Sequence, residues 1–226
     1  AALDNYTETL VANIRQVAAE AIEAMRPSLL SWGSGHSTVA VNRRTNREAN
    51  VPELRLAGQL VGPSDHDVPV LAVRSPEGEL KTVLFGYACH ATVLSFYKWS
   101  GDYPGFAQAE LERLQPGVNA MFWAGCGADQ NPLPRRTVEL AQQYGARLAA
   151  AVNEVVKGAM KPIGGTLATH YDEVDLPLAT LPGKEDLVAA TESSNRYEVA
   201  RARMLLEQIE SGVPLSQTYP YPVATW

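Results

Sequence analysis

A histidine at the end of an apolar run is the residue of this sequence best placed for chemistry. The run TVLFGYA, residues 82–88, is almost wholly apolar and is followed directly by Cys89 and His90. This pattern predicts a strand buried on both faces. In open α/β sheets, ligands bind beyond the carboxyl ends of the strands. We therefore expect His90 to lie at the edge of a pocket.

Two polar turns are expected to face the same pocket. A second apolar run, VNAMFWA at 118–124, ends in a turn that contains Gly125, Gly127 and Asp129. Small residues there allow the backbone to approach a ligand closely. Between the two runs, SGDYPG at 100–105 opens a predicted helix, with Asp102 near its N-terminus and Pro104 in its first turn.

At these positions the sequence resembles the neutral/alkaline non-lysosomal ceramidases, whose N-terminal catalytic domain hydrolyses the amide of ceramide with one zinc ion. The motifs that carry the resemblance are CHAT at 89–92, SGDYPGFA at 100–107 and GADQNP at 127–132. Supporting matches are VNRR at 41–44, DHDV at 65–68 and YPYPVATW at 219–226. The resemblance spans nearly the whole chain, and it implies that residues 1–226 are a part of that N-terminal domain.

The resemblance implies a hydrolase that cleaves the N-acyl amide of ceramide or a related lipid to a fatty acid and a sphingosine-like amine. It implies that His90 is a zinc ligand and that Arg43 is a catalytic residue that positions or polarises the substrate. It also implies substrate-binding or supporting roles for four further residues, Asp102, Gly125, Gly127 and Asp129. The implied partner of the enzyme is a small-molecule lipid amide, and the implied cofactor is zinc.

One histidine cannot complete a catalytic zinc site, because such sites take three or four protein ligands. The resemblance implies a His pair before residue 1 and a Glu and a Tyr after Trp226, so we expect the 226-residue chain alone to be inactive. The proposed serine nucleophile of the family lies four residues before the Asp of its Gly-Asp turn, where this sequence has Gly125. A zinc-activated water is therefore expected to attack the carbonyl directly.

Other interpretations of these residues stay open. Cys126 lies one position from the missing serine and favours a cysteine-dependent acyl hydrolase as one alternative. A relative that binds lipid or sugar without turnover is another. Arg43 in a solvated loop, and Asp102 and Asp129 as turn or helix caps, would be purely structural. A histidine after a buried strand is also often structural, and we predict structural roles for the other three histidines: His36, His66 and His170.

Composition narrows the classes of function. Of the 226 residues, 46% are hydrophobic, which is enough for a sizeable core. The net charge of −6, with no run of Lys or Arg, argues against binding to nucleic acid or to anionic membranes. The two cysteines, Cys89 and Cys126, are too few for a disulfide framework, and the sequence leaves open whether they pair. The oligomeric state is also left open.

The order of predicted elements indicates an α/β fold with a mixed sheet flanked by helices. An N-terminal helix capped by Asp4 or Asn5 and ended by Pro27 is expected to pack against the sheet. We predict one or two strands over 29–41 and a hairpin of strands at 69–74 and 80–88. The later elements are predicted to be helices over 104–114, 136–157 and 185–210 and strands over 118–124 and 164–174.

No segment is apolar over the roughly 18 residues that a transmembrane helix requires. The chain starts at Ala1 without Met and ends just after a strand-like segment, so we expect it to be an internal piece of a longer protein. Any signal peptide would lie upstream. The resemblance implies a secreted or periplasmic protein.

Overall fold

The computed structural model describes residues 2–225. The chain forms two compact units, Ala1–Gly164 and Gly165–Trp226. The helices are α1 (Ala2–Glu23), α2 (Val51–Leu56), α3 (Asp102–Leu114), α4 (Val138–Lys157), α5 (Lys184–Ala190) and α6 (Arg196–Glu210), with a short 3-10 helix at Glu48–Asn50. The strands are β1 (Leu29–His36), β2 (Ala40–Asn42), β3 (Asp67–Arg74), β4 (Leu80–Tyr87), β5 (Asn119–Ala124), β6 (Gln130–Pro132), β7 (Lys161–Ile163), β8 (His170–Pro177) and β9 (Thr218–Thr225).

The first unit is built on a five-stranded mixed sheet with the strand order β5-β4-β3-β1-β7. Strands β3 and β4 form the predicted antiparallel hairpin. Strand β5 runs parallel to β4 after the crossover through α3, which is the predicted βαβ passage. The α/β class with a mixed sheet and flanking helices is confirmed.

Helices α3 and α4 cover one face of this sheet. Alternate side chains of β4 point into the core, and Val83, Phe85 and Tyr87 are each 1% exposed. Helix α4 packs against these side chains with an apolar stripe that includes Leu148 and Val152, both fully buried. Each such side chain contributes about 1.5–3 kcal/mol to folding. The core therefore fixes the carboxyl end of β4, from which His90 projects.

A short antiparallel pair, β2 with β6, lies outside the main sheet. Behind it, Val41, Val51 and Leu133 form a small apolar cluster of their own. Through this cluster, α2 and β2 pack against Leu133, in the segment that follows β6. It is the packing that brings residues 42–44 to the candidate site.

The N-terminal helix forms, but its predicted packing is wrong. Helix α1 begins at Ala2, before the expected caps, and none of its residues is buried. Helices α3 and α4 supply the helical side of the core, and no residue of α1 belongs to the core among the described residues. The apolar stripe of α1 is left facing solvent.

Two other predicted elements need correction. The strand expected over 164–174 is instead β7 before Gly164 and β8 from His170, because Gly165 has φ +109° and breaks the extended backbone. The helix expected over 185–210 is two helices, α5 and α6. The Asn195 side chain accepts a hydrogen bond from Tyr197 N at 3.0 Å, so it caps a new helix rather than continuing the old one.

The second unit has a simpler plan. Strands β8 and β9 pair antiparallel along their whole length, from His170 opposite Thr225 to Pro177 opposite Thr218. Helices α5 and α6 pack on each other through Leu187 and Ala202, which are 4% and 2% exposed. Over residues 2–225, no helix is long and apolar enough to cross a lipid bilayer.

Candidate active site

The parallel strands β4 and β5 end side by side, with Tyr87 opposite Ala124. The segments that leave these two ends form an open cleft of about 610 Å³. Five of its lining residues carry polar or reactive side chains: Arg44, Cys89, His90, Cys126 and Asp129. Its apolar wall comes from Phe122, Ala91, Ala124 and Ala128. The expectation that both strand ends face one pocket is therefore met, and His90, Gly125, Gly127 and Asp129 all line it.

The pairing of β2 with β6 brings the Asn-Arg-Arg segment against the glycine turn. Asn42 lies opposite Gln130 in the register, and its side-chain amide donates to Asp129 Oδ2 at 3.2 Å. Arg43 is exposed, but its main-chain N–H donates to the carbonyl oxygen of Asp129 at 2.8 Å. The Nε atom of Arg43 donates to the carbonyl oxygen of Ala128 at 3.1 Å. Arg43 thus holds the turn and does not itself line the cleft.

The carbonyl oxygen of Ala128 also faces the His90 ring, with Nε2 at 3.3 Å. A carbonyl oxygen only accepts hydrogen bonds, so Nε2 carries the proton in this arrangement. The lone pair of the ring is then on Nδ1, which is the atom available to bind a metal or accept a proton. The main-chain N–H of His90 donates to Gln130 O at 3.1 Å, which fixes the residue to the far side of the turn.

Asp102 lies outside the lining of the cleft and supports the segment after His90. The residue is only 7% exposed. Its carboxylate accepts hydrogen bonds from three main-chain N–H groups, those of Val93 at 3.2 Å, Leu94 at 2.8 Å and Tyr103 at 2.7 Å. Asp102 adopts φ +52°, a left-handed conformation that Asp tolerates better than most residues. Helix α3 therefore begins with a residue that anchors the loop leaving the site.

Two glycines of the turn differ in how tightly the backbone surrounds them. A Cβ atom on Gly127 would lie 2.6 Å from Cys89 N, so no side chain fits between the turn and the end of β4. At Gly125 the nearest atom, Ala88 Cα, would be 3.3 Å away. A small side chain at position 125 needs a shift of only a few tenths of an ångström. The expected close approach of backbone to backbone in this turn is therefore tightest at Gly127.

Sequence reasoning assigned no role in the site to four polar residues: Arg44, Gln130, Asp65 and Asp67. Arg44, not Arg43, lines the cleft. The buried Gln130 side chain donates to Ala88 O at 2.7 Å and accepts from Asp65 N at 2.7 Å, which joins the end of β4 to the loop before β3. Asp65 and Asp67 line a smaller adjoining cleft of about 190 Å³ that shares Gly125 and Cys126 with the first. The glutamine lies within the GADQNP motif, but it sits in a three-residue strand with no periodic pattern, so nothing local indicated its hydrogen bonds.

The two cysteines are free thiols in different surroundings. Cys89 is buried, and the loss of solvation raises the pKa of its thiol to about 12, with the nearby Asp102 carboxylate adding to the effect. Cys89 therefore stays protonated and inert at neutral pH. Cys126 is exposed and lines both clefts.

The described residues do not complete a zinc site. His90 offers one ring nitrogen in the cleft, but among residues 2–225 no three His, Cys, Asp or Glu side chains come close enough together to hold a metal ion. A catalytic zinc takes three or more protein ligands. The donor set present fits one ligand of such a site and no more.

The other three histidines lie apart from the cleft lining. His66 Nε2 contacts the carbonyl oxygen of Ala40 at 2.9 Å, and its ring packs edge-on against His36 with centroids 5.5 Å apart. These contacts order the loop that leads into β3. His170 begins β8 in the second unit.

The solved structures that resemble this fold include two ceramidases. One is a ceramidase solved in complex with C2, with TM-score 0.56 and 21% identity over 66% of this chain and 25% of that one. The other is the neutral ceramidase from Pseudomonas aeruginosa, with TM-score 0.55 and 17% identity over 88% of this chain and 38% of that one. The chain thus spans well under half of either structure. No protein-family model and no curated protein sequence matches the chain.

Proposed function

We propose that this chain is part of a ceramidase-like hydrolase that cleaves the N-acyl amide of a long-chain lipid. The observation that carries the proposal is the coincidence of two independent features. The fold resembles neutral ceramidases, and the cleft at its parallel strand ends is lined by residues of two of the three motifs that resemble the family in sequence, CHAT and GADQNP. Fold alone does not define chemistry, so the side chains of the cleft must supply it.

The residues of the cleft can bind the two parts of such an amide. The wall of Phe122 and three alanines suits hydrocarbon, and burial of a methylene group there contributes about 0.8 kcal/mol. Arg44 presents guanidinium donors to the same space, which suit the carbonyl oxygen of the amide or the carboxylate of the fatty acid product. The Nδ1 lone pair of His90 and the Asp129 carboxylate are the acceptors in the cleft.

Zinc is proposed as the cofactor, with His90 as the one ligand that residues 2–225 supply and the remaining ligands elsewhere in the polypeptide. Bound zinc polarises carbonyl groups and lowers the pKa of bound water to about 7. Within this chain, Arg43 and Gln130 hold the main chain around the site in place. Arg43 holds the carbonyl oxygen of Ala128, which the His90 ring contacts, and Gln130 holds the carbonyl oxygen of Ala88 at the end of β4. Arg43 is thus proposed as a positioning residue.

A secreted or periplasmic location remains a prediction from the resemblance.

The test uses the full-length protein that contains this chain, with ceramide as substrate and release of the amine as the measurement. Wild type is expected to release amine, to contain stoichiometric zinc and to lose activity with a chelator. His90→Ala is expected to lose both zinc and activity. His170→Ala is the matched control, because that histidine lies on an exposed strand of the second unit and should keep both. Zinc retained in full by His90→Ala would overturn the ligand assignment, and absence of amine release by wild type would overturn the hydrolase.

One structural observation favours a second candidate, a cysteine-dependent acyl hydrolase. The exposed thiol of Cys126 lines the same cleft as His90, and a histidine within hydrogen-bond reach is the base that an activated thiolate needs. The two candidates are distinguished by measuring the intact mass of the protein after its reaction with substrate has been quenched. An acyl adduct on Cys126, or loss of activity in Cys126→Ser with zinc still bound, would establish the cysteine mechanism. Full activity in Cys126→Ser would exclude it, and a relative that only binds its ligand would show neither adduct nor turnover.

A further inference from the structure

The segment that contains His90 has no regular secondary structure. Residues 88–100 belong to no helix and no strand. Because such a segment has no ladder of backbone hydrogen bonds, its place depends on single contacts with the elements around it. His90 itself is held by carbonyl oxygens of the glycine turn. A second set of contacts is made a little further along the chain, at Thr92 and Val93.

Val93 is held through both of its main-chain polar groups. Its N–H donates to the Asp102 carboxylate at 3.2 Å, and its carbonyl oxygen accepts the main-chain N–H of Arg136 at 2.6 Å. Next to it, the Thr92 hydroxyl oxygen accepts from Arg135 Nη1 at 3.4 Å. The two neighbouring arginines therefore both reach this segment, one through its side chain and the other through its backbone.

Both arginines also bind one carboxylate, that of Glu48. Arg135 Nε lies 3.1 Å from Glu48 Oε2, and Arg136 Nη2 lies 3.3 Å from the same oxygen. Neighbouring side chains of an extended segment point to opposite sides. Arg136 departs from that pattern, because its φ of +95° lies in a region that residues other than glycine seldom adopt. Strained backbone of this kind persists only where surrounding contacts hold it, and it is concentrated at functional sites. Glu48 supplies such a contact.

The element that carries Glu48 is itself anchored by packing. Glu48 begins the 3-10 helix that leads into α2, where Val51 is fully buried in a cluster with Val41 and Leu133. The Arg55 guanidinium of α2 donates to the Leu133 carbonyl oxygen at 3.1 Å. The position of the Glu48 carboxylate is thus set by a packed element, whereas the irregular segment that it reaches through the arginines has no such support of its own.

We propose that Glu48 is a positioning residue for His90. By holding the arginine pair at 135–136, it fixes the segment after His90 and keeps the imidazole against the Ala128 carbonyl oxygen. This role rests on the proposed function of His90, and Glu48 does not itself line the cleft.

The effect of Glu48 is expected to be local. The side chains of Glu48, Arg135 and Arg136 are 34%, 22% and 54% exposed. Partly exposed ion pairs contribute little to global stability, because solvent screens the charges. Loss of the pair should therefore disturb the irregular segment without unfolding the protein.

The test uses the full-length protein that contains this chain, in the presence of a chelator, so that neither zinc nor turnover enters the measurement. NMR of the histidine side chains reports the His90 ring, whose signals are assigned by their loss in His90→Ala. Glu48→Gln is expected to shift these signals. Hydrogen exchange of the Arg136 amide is expected to become about two- to tenfold faster, the factor that corresponds to one net hydrogen bond. The midpoint of urea denaturation should stay close to that of wild type.

Glu53→Gln is the matched control. It removes the same charge from the adjoining helix α2, and over residues 2–225 the Glu53 side chain has no hydrogen-bond or ion-pair partner. This variant should leave the His90 signals unchanged. Arg135→Gln tests the route of the effect. When it is combined with Glu48→Gln, the shift of the His90 signals is expected to be less than additive, because both changes disconnect the same contact.

Unmoved His90 signals in Glu48→Gln would overturn the proposal. So would an equal shift in Glu53→Gln, which would indicate an effect of charge alone, or a uniform rise in hydrogen exchange across the core, which would indicate a loss of global stability. Additive shifts in the double variant would overturn the route through Arg135. Because none of these measurements depends on zinc or on amine release, failure of this proposal is distinguishable from failure of the proposed hydrolase.

Discussion

Arg43 and His90 meet at a single acceptor, the carbonyl oxygen of Ala128. The Nε atom of Arg43 lies 3.1 Å from it, and the Nε2 atom of His90 lies 3.3 Å from it. The two residues come from segments far apart in the sequence, and neither bond is part of a regular element. The position of the His90 ring therefore depends on a turn that an exposed arginine holds in place.

Arg43→Lys is expected to leave the protein folded and to disturb His90. Lysine has no donor at the position of Nε, so the Ala128 oxygen loses one of its two partners. We expect a fall of about 0.5–1.5 kcal/mol in the free energy of unfolding and a clear shift of the His90 imidazole signals in NMR spectra. Arg44→Lys is the control, because no side-chain bond joins Arg44 to Ala128 among the described contacts. If Arg44→Lys moves the His90 signals and Arg43→Lys does not, the positioning role is wrong.

Gly127→Ala is expected to destabilise the site more than Gly125→Ala. The added Cβ atom at position 127 would lie 2.6 Å from Cys89 N, a backbone atom that cannot move aside, whereas at position 125 the closest distance is 3.3 Å. Overpacking of this kind costs about 1–3 kcal/mol, and we expect less than about 1 kcal/mol at position 125. Urea denaturation of both variants measures the difference. Equal losses would mean that the turn is free to shift.

Asp102→Asn is expected to loosen the segment after His90. Asparagine tolerates the φ of +52° but offers an amide group in place of one acceptor oxygen, so one of three main-chain N–H groups loses its partner. The expected loss is about 1–3 kcal/mol, with faster hydrogen exchange at Val93 or Leu94. Asp129→Asn is the comparison, since its carboxylate is less buried and accepts from the Asn42 amide. Unchanged exchange in Asp102→Asn would contradict the anchoring role.

Burial of Cys89 predicts a loss of stability in alkaline solution. The folded state raises the pKa of this thiol to about 12, above its ordinary value of about 9, so the unfolded chain loses the proton first as pH rises. The stabilising difference is complete below about pH 9 and is lost between about pH 9 and about pH 12. Burial also raises the pKa values of Tyr87, Tyr103 and Tyr144, but each of these starts from about 10.

The thiol therefore dominates the change in unfolding free energy between about pH 8 and about pH 9.5, below the range in which the tyrosines contribute. Wild type is expected to lose stability with rising pH over this interval. Cys89→Ala should show a flatter profile, whatever its stability at neutral pH. Cys126→Ala should keep the slope of wild type, because that thiol is exposed. A slope that is unchanged in Cys89→Ala would assign the effect to other groups.

The sequence by itself determined the elements whose patterns are local. The apolar run at 82–88, the Pro-Gly turn before it and the helix opened by Asp102 predicted the hairpin, the βαβ passage and the pocket at the strand ends, and all are present. These elements are set by periodicity and turn chemistry within a few residues. The same patterns placed His90, Gly125, Gly127 and Asp129 on one cleft.

Tertiary structure decided what depends on contacts between distant segments. Strands β2 and β6 have three residues each and no alternation, yet their pairing brings Asn42 and Arg43 to the turn and buries Gln130 between the end of β4 and Asp65. The amphipathic pattern of α1 predicted a helix with one apolar face but could not say what that face meets. A hydrophobic stripe is non-directional, so its partner is chosen by which surface is still uncovered when the core has formed. In this fold α3 and α4 supply the helical side of the core, and the apolar face of α1 is left exposed.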